Sequence, residues 1–296
     1  GKMIRTFQTH SVRKQTELSG KLWEVIPLEG DLAKQKLRLM VPGCWENYPG
    51  MENYRGKAEY TTEFYAEGDI RLVFKGVSHM AWIYVDGEEI GTHYNAYTSF
   101  EFVVRGLRRG AHVLKVLVDN SFRPEYALNR PNDYMSYGGI SRAVILEEIS
   151  GVYLHHVHIT PLREEPTGWK ARVEVTTENI LEAEQNIVID LEVGQTRIRT
   201  EELIAEPGRH VVWQQVIDIE GVDSWTPENP ALYEIRLQLA QGGKVLDDLT
   251  DRTGFRKIEI NGNRILLNGK ALRIKGVNRH EDHPQYGCAL PFEAIC

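Results

Sequence analysis

The residues best suited to chemistry stand near the end of the chain, in the run Asn-Arg-His-Glu-Asp-His-Pro at positions 278–284. They directly follow residues 272–277, Leu-Arg-Ile-Lys-Gly-Val, which predict a buried β-strand. A strand that ends in ionisable residues is how a (β/α)8 barrel begins to build an active site. The imidazole of His280 can donate one hydrogen bond and accept another, which suits recognition of a hydroxyl group. The alternative for His280 is a structural residue whose hydrogen bonds are satisfied within the fold.

Two carboxylates in the same run, Glu281 and Asp282, are candidates for acid–base chemistry. Because they are adjacent, an extended backbone directs their side chains to opposite faces, which is poor geometry for a facing pair. We therefore expect a structural role, in which a carboxylate orients Arg279 or His280 by hydrogen bonding. The His-Pro pair that follows predicts that the chain turns away, because proline ends the hydrogen bonding of a strand.

The rest of the chain carries strand signals. Apolar and polar residues alternate, for example over residues 187–193 and 235–240, with the period of a sheet that has one buried face. Turn pairs such as Asp-Gly and Asn-Gly separate these stretches, and no long amphipathic helix is expected before residue 291. The pattern predicts a mainly β protein with three units: a jelly-roll sandwich over residues 1–149, an immunoglobulin-like sandwich over 150–256, and the first strand of a truncated (β/α)8 barrel within 257–296.

The composition of the chain limits which binding partners and which cellular compartment are expected. The 296 residues are 42% hydrophobic and 26% charged, and the net charge of −7 comes without a run of Lys or Arg. This argues against nucleic acid or a membrane as a partner. No stretch approaches the roughly 20 apolar residues of a membrane span, and the first residues lack the apolar core of a secretory signal. Cys44, Cys288 and Cys296 are far apart, which predicts free thiols in a reducing, cytoplasmic compartment.

Three histidines, His155, His156 and His158, are close enough in the sequence to suggest a metal cluster. Strand alternation places His156 and His158 on one face and His155 on the other, and no Cys or Asp lies beside them. We therefore expect no metal site in this chain.

Six short motifs occur in order along the chain. They are Leu-Ser-Gly-Lys-Leu-Trp at 18–23, Val-Pro-Gly-Cys-Trp at 41–45, a hairpin pattern over 74–93, Gly-Gly-Ile-Ser-Arg at 138–142, Trp-Thr-Pro-Glu-Asn-Pro-Ala-Leu-Tyr at 225–233 and Gly-Phe-Arg at 254–256. Together with Asn-Arg-His-Glu at 278–281, they resemble glycoside hydrolase family 2, the β-galactosidase and β-glucuronidase family. The resemblance covers nearly the whole chain and implies a galactose-binding-like jelly roll as the first domain.

The resemblance also implies roles for individual residues. Family members are retaining enzymes that take both catalytic Glu residues from later barrel strands, so no acid/base and no nucleophile is assigned before Cys296. A chain that ends there is expected to be an inactive N-terminal fragment. Asp133, six residues before Gly139, matches an Asp that binds sugar hydroxyls, although an Asx-turn in a Pro-containing loop is the alternative. His280 matches a second sugar contact, and three residues support the site: Asn278, Arg279 and Glu281.

A terminal β-galactoside is the first choice of substrate, because the run at 278–284 is more similar to the β-galactosidases; a β-glucuronide is the alternative within the family. A competing hypothesis is a carbohydrate-binding module without catalysis, for which a strand ending in Asn-Arg-His-Glu would have no use. The resemblance implies a homo-oligomer for the full-length enzyme. It implies no certain cofactor: some family members use Mg2+ and Na+, whose ligands the sequence does not assign.

Overall fold

The computed structural model describes residues 8–126, 135–278 and 282–291. These residues divide into two compact units. The first consists of residues 15–126, 135–148 and 282–291, and the second of residues 8–14 and 149–278.

The described part of the first unit is an antiparallel β-sandwich of eight strands. They are β1 (Gln15–Glu17), β2 (Lys21–Pro27), β3 (Leu37–Val41), β4 (Lys57–Phe74), β5 (Met80–Val85), β6 (Glu88–Tyr94), β7 (Phe100–Asp119) and β8 (Val144–Glu148). The strand order is β1-β8-β4-β7-β5-β6, and β2 pairs with both β3 and β4. The long strands β4 and β7 pair along most of their length and form the centre of the sheet.

Alternation explains why these segments are strands. In β3 the residues are buried and exposed in strict turn, and β5 alternates in the same way between half-buried and buried positions. The buried side chains meet in one core, whose largest members are Trp23, Trp45, Tyr60 and Phe74. The helical structure in the described residues is a single 3-10 turn, Trp45–Asn47, so the prediction of no long helix is confirmed for them.

The second unit contains eleven strands in its described residues. They are β9 (Val152–Glu165), β10 (Gly168–Asn179), β11 (Gln185–Val193), β12 (Thr196–Arg199), β13 (Leu203–Ala205), β14 (Gly208–Glu220), β15 (Tyr233–Gln241), β16 (Lys244–Thr253), β17 (Ile258–Asn261), β18 (Arg264–Leu267) and β19 (Lys270–Ala271). One sheet has the order β14-β10-β9 and a second has β12-β11-β15-β16, with β13 added to β11. Buried residues from both sheets share one core, as an immunoglobulin-like sandwich requires. The predicted fold class of two successive β-sandwiches is confirmed.

Residues 8–14 belong to the second unit, although they fall within the expected span of the first domain. Thr9 pairs with Thr250 through two backbone hydrogen bonds of 2.8 Å. Four residues later, the buried guanidinium of Arg13 forms an ion pair with the buried carboxylate of Asp247, at 2.6 Å. A β-bridge and a buried ion pair therefore fix this segment to β16.

Residues 272–277 are not a strand, which corrects the prediction of a buried one. The third sheet, β17-β18-β19, ends at Ala271, and the backbone beyond it makes one further sheet-like bond, from Leu272 N to Ile265 O. Ile274 and Val277 are 66% and 92% exposed. The physical reason is that a strand exists only through hydrogen bonds to a neighbour, and the described residues offer none here.

Across the residues that the structure describes, no helix has the length and apolar composition to cross a bilayer.

Candidate functional site

The segment that follows the predicted barrel strand packs against the first unit. The hydroxyl of Tyr137 donates a hydrogen bond to the carboxylate of Asp282. Burial first, and then this bond, raises the pKa of Tyr137, so the phenol keeps its proton. The backbone turns at His283, whose carbonyl accepts a hydrogen bond from Gly287 N at 2.7 Å, and Leu290 is buried. The predicted turn at the His-Pro pair is therefore confirmed.

Four of the predicted site residues lie outside the described residues: Asp133, Arg279, His280 and Glu281. Asn278 is described and is exposed, at the end of the non-strand segment. Asp282 accepts its hydrogen bond from Tyr137. Tyr137 and Asp282 are thus in direct contact in the first unit. In the sequence, Tyr137 stands four positions after Asp133, and Asp282 stands two positions after His280.

The buried carboxylate of Glu46, which the sequence analysis did not identify as a site residue, organises the described residues next to Tyr137. Both oxygens of Glu46 accept hydrogen bonds from Gly138 N, at 2.9 and 3.1 Å, and Oε1 also accepts from Asn120 Nδ2 at 3.3 Å. Arg55 Nη1 lies 3.4 Å from the same oxygen and donates to the carbonyl of Ser136. Glu46 and Arg55 together therefore hold residues 136–138, which follow the segment that contains Asp133.

Gly138 permits this arrangement. A Cβ atom at this position would lie 2.3 Å from two ring atoms of Trp45 and 2.6 Å from Asn120 Nδ2. No side chain fits there without displacing the ring. The sequence signal was available: Gly138 opens the Gly-Gly-Ile-Ser-Arg motif, and Glu46 directly follows the Val-Pro-Gly-Cys-Trp motif. What the sequence could not show is that the two motifs meet.

Burial dominates the electrostatics of Glu46 and raises its pKa from 4.5 to about 7. The backbone N–H groups of Glu46 and Gly138 and the charge of Arg55 oppose this shift without cancelling it. Folding therefore favours the protonated carboxyl group. A raised folded-state pKa contributes stability that is complete below pH 4.5 and is lost as the pH rises through about 7.

We expect this titration to be visible as a pH-dependent stability of the first unit. Between pH 4 and 8.5, the free energy of unfolding of the wild type should fall by about 3 kcal/mol relative to that of Glu46→Gln, which has no titrating group at this position. Urea unfolding, followed by amide protection in β4 and β7, measures the difference. Glu63→Gln, at an exposed position, is the matched control and should track the wild type. A difference between wild type and Glu46→Gln that does not change with pH would contradict the account.

The histidines that suggested a metal cluster, and one group of possible metal ligands in the second unit, are already hydrogen bonded. His155 Nδ1 lies 2.8 Å from His156 Nδ1, because a register shift opposite Thr176 interrupts the alternation that was expected to separate these rings. His10, Asp247 and Asp248 offer ligand atoms within 4.8 Å of one another. The Asp247 carboxylate is paired with Arg13, and the Asp248 carboxylate accepts bonds from the backbone N–H groups of residues 11–13. These carboxylates attach the N-terminal segment.

Three family models match successive parts of the chain. The model for the glycosyl hydrolase 2 galactose-binding domain-like family matches residues 51–148, and that for glycosyl hydrolases family 2 matches residues 152–256. The model for the family 2 TIM barrel domain matches residues 258–296. The third match identifies residues 258–296 as the beginning of the barrel domain.

Similar proteins are longer than this chain. This chain is similar to a β-galacturonidase from Eisenbergiella tayi, whose crystal structure was solved with bound galacturonate. The two sequences are 45% identical and the structures match with a TM-score of 0.92, over 99% of this chain and 52% of that one. A β-galactosidase from Thermoanaerobacter pseudethanolicus is 28% identical over 261 residues, covering 81% of this chain and 32% of that protein. A β-glucuronidase from Bifidobacterium dentium, 21% identical with a TM-score of 0.77, shares the fold. The chain thus spans about half of the first protein's length and about a third of the second's.

Proposed function

This chain belongs to glycoside hydrolase family 2, and from this premise we propose that it is the sugar-binding part of a retaining hydrolase that releases a terminal β-linked sugar. The observation that carries the proposal is the 45% identity to a β-galacturonidase over 99% of this chain. The match has a TM-score of 0.92, and its coverage includes both sandwich domains.

Retaining hydrolysis needs two carboxyl groups about 5–5.5 Å apart, one as nucleophile and one as acid/base. We assign neither to this chain, and place both in the barrel that begins near residue 258. Asp133 and His280 bind sugar hydroxyls in this proposal, and Asn278, Arg279 and Glu281 support them. The support from the described residues is the contact between Tyr137 and Asp282 and the attachment of residues 136–138 by Glu46.

A β-galacturonide is the preferred substrate in this proposal. Galactose and galacturonic acid have the same ring configuration and differ at C6, where one has a hydroxymethyl group and the other a carboxylate. Hydrogen bonds from Asp133 and His280 to sugar hydroxyls are possible with either sugar. The C6 carboxylate of galacturonic acid also needs a basic side chain that binds it. A β-galactoside is the second candidate. It is favoured by the Asn-Arg-His-Glu-Asp-His-Pro run and by the 28% identity to a β-galactosidase.

The test is the release of nitrophenol by the full-length protein from three substrates: the nitrophenyl β-galacturonide, β-galactoside and β-glucuronide. We expect kcat/KM to be about 100-fold higher or more for the galacturonide, because a site built for a carboxylate discriminates strongly against a sugar that lacks it. The 296-residue chain, measured beside it, should release none. Preference for the galactoside would favour the second candidate. Hydrolysis of none of the three by the full-length protein, or equal rates for the 296-residue chain, would contradict the proposal.

A further inference from the structure

Two cysteines that are 244 positions apart in the sequence lie side by side in the first unit. The sulfur atoms of Cys44 and Cys288 are 3.5 Å apart. Cys44 is buried at the end of the Val-Pro-Gly-Cys turn, and Cys288 is half-buried in the segment that follows Asp282. Both are free thiols in this structure.

The approach of the two thiols depends on the residue before Cys288. Gly287 has a φ of +55°, which a side chain strongly disfavours. A Cβ atom there would also lie 3.0 Å from Cys44 Sγ and 2.8 Å from the ring of Tyr137. Glycine therefore brings the turn that begins at His283 into contact with Cys44, and Cys288 with it.

The two thiols are chemically unequal. The contact with Cys288 first, and then burial, raises the pKa of Cys44, so this thiol stays protonated. The hydrogen bond between the two sulfurs lowers the pKa of Cys288, with Arg142 acting in the same direction and burial and the charge of Glu46 opposing it. The more accessible sulfur is thus the better nucleophile, and the buried one is placed to react second, which is the arrangement of a reactive dithiol.

We propose that Cys44 and Cys288 form a redox-active pair, which a low-molecular-weight disulfide oxidises to an intramolecular disulfide. The Cys288 thiolate attacks one sulfur of the small disulfide, forms a mixed disulfide and releases one small thiolate. Cys44 then gives up its proton, and its sulfur attacks that of Cys288 and expels the second small thiolate. Two protein thiols are oxidised, and one small disulfide is reduced to two thiols.

The attack of the Cys44 sulfur on the Cys288 sulfur needs only a small movement. A disulfide bond is about 2.05 Å long, so the sulfurs must approach by about 1.5 Å, a distance within reach of side-chain rotation. The product would join the turn at residues 283–287 covalently to the loop after β3. The inference does not depend on the proposed function, because it concerns thiols that are assigned no part in hydrolysis.

The test uses the full-length protein, incubated with mixtures of oxidised and reduced glutathione, quenched by alkylation, digested and examined by mass spectrometry. We expect a peptide pair joined through Cys44 and Cys288, with a mass about 2 Da below that of the two free peptides, the two hydrogens lost on oxidation. Cys44→Ser should leave a glutathione adduct on Cys288, and Cys288→Ser should give neither product at Cys44. Cys296→Ser, the matched control, should still form the cross-link.

The wild-type result alone can overturn the proposal, whether or not the serine variants fold. A wild-type protein that keeps both thiols free under oxidising mixtures would refute it. So would a persistent glutathione adduct on Cys288, or a cross-link of either cysteine to another partner in the folded protein.

Discussion

Replacing Arg13 by methionine is expected to lower the free energy of unfolding of the second unit by about 3–5 kcal/mol, because it leaves a buried carboxylate without its counter-charge. Arg13 Nε and Nη2 bond the two oxygens of Asp247 at 3.0 and 2.6 Å, and Nη2 also donates to Leu154 O at 2.6 Å. Side-chain exposures of 1% and 2% leave no water to replace these bonds. Asp247 would keep one strong bond, from Leu154 N at 2.7 Å.

Urea unfolding, with amide protection followed in β9 and β16, measures this loss. Arg197→Met is the matched control, because Arg197 pairs with Glu192 at 3.1 Å on the surface and is 77% exposed. That substitution should cost less than about 1 kcal/mol. Arg13→Met combined with Asp247→Leu should recover much of the loss, since both charges are then removed. An Arg13→Met variant no less stable than Arg197→Met would contradict the role given to this ion pair.

The two β-sandwiches could be predicted from the sequence because the pattern that identifies each strand lies within the strand itself. In β11, Ile189 and Leu191 alternate with polar residues, and the structure pairs them with Leu239 and Leu237 of β15, so both strands direct these apolar residues into one core. An alternation of two residues is a property of a short stretch, and it is readable before any partner is known.

The long-range contacts within each unit could not be predicted in this way. Cys44 meets Cys288, Glu46 meets Gly138, and Arg13 meets Asp247, and no period or spacing links residues so far apart. The strand expected at residues 272–277 did not form for a related reason. The residue pattern shows that a segment can pair, and only a neighbouring strand makes it a strand.

The second large effect concerns the two proposed sugar contacts. Asp133→Asn and His280→Ala, each in the full-length protein, should lower kcat/KM for the preferred nitrophenyl glycoside by about 100- to 1,000-fold. A charge-assisted hydrogen bond contributes about 1.5–3 kcal/mol, and an unpaired sugar hydroxyl adds to the loss. Asp223→Asn and His158→Ala make the same chemical changes at exposed positions of the second unit and should leave kcat/KM unchanged.

The most direct measurement of the central claim, that this chain supplies the sugar contacts of a family 2 hydrolase, is kcat/KM for these four variants beside the wild type. Thermal unfolding of each variant confirms that a loss of activity is not a loss of fold. We expect a fall of about 100-fold or more for Asp133→Asn and His280→Ala, with unchanged melting temperatures and unaffected controls. Values for both variants within about 3-fold of the wild type, a difference of less than about 1 kcal/mol, would contradict it.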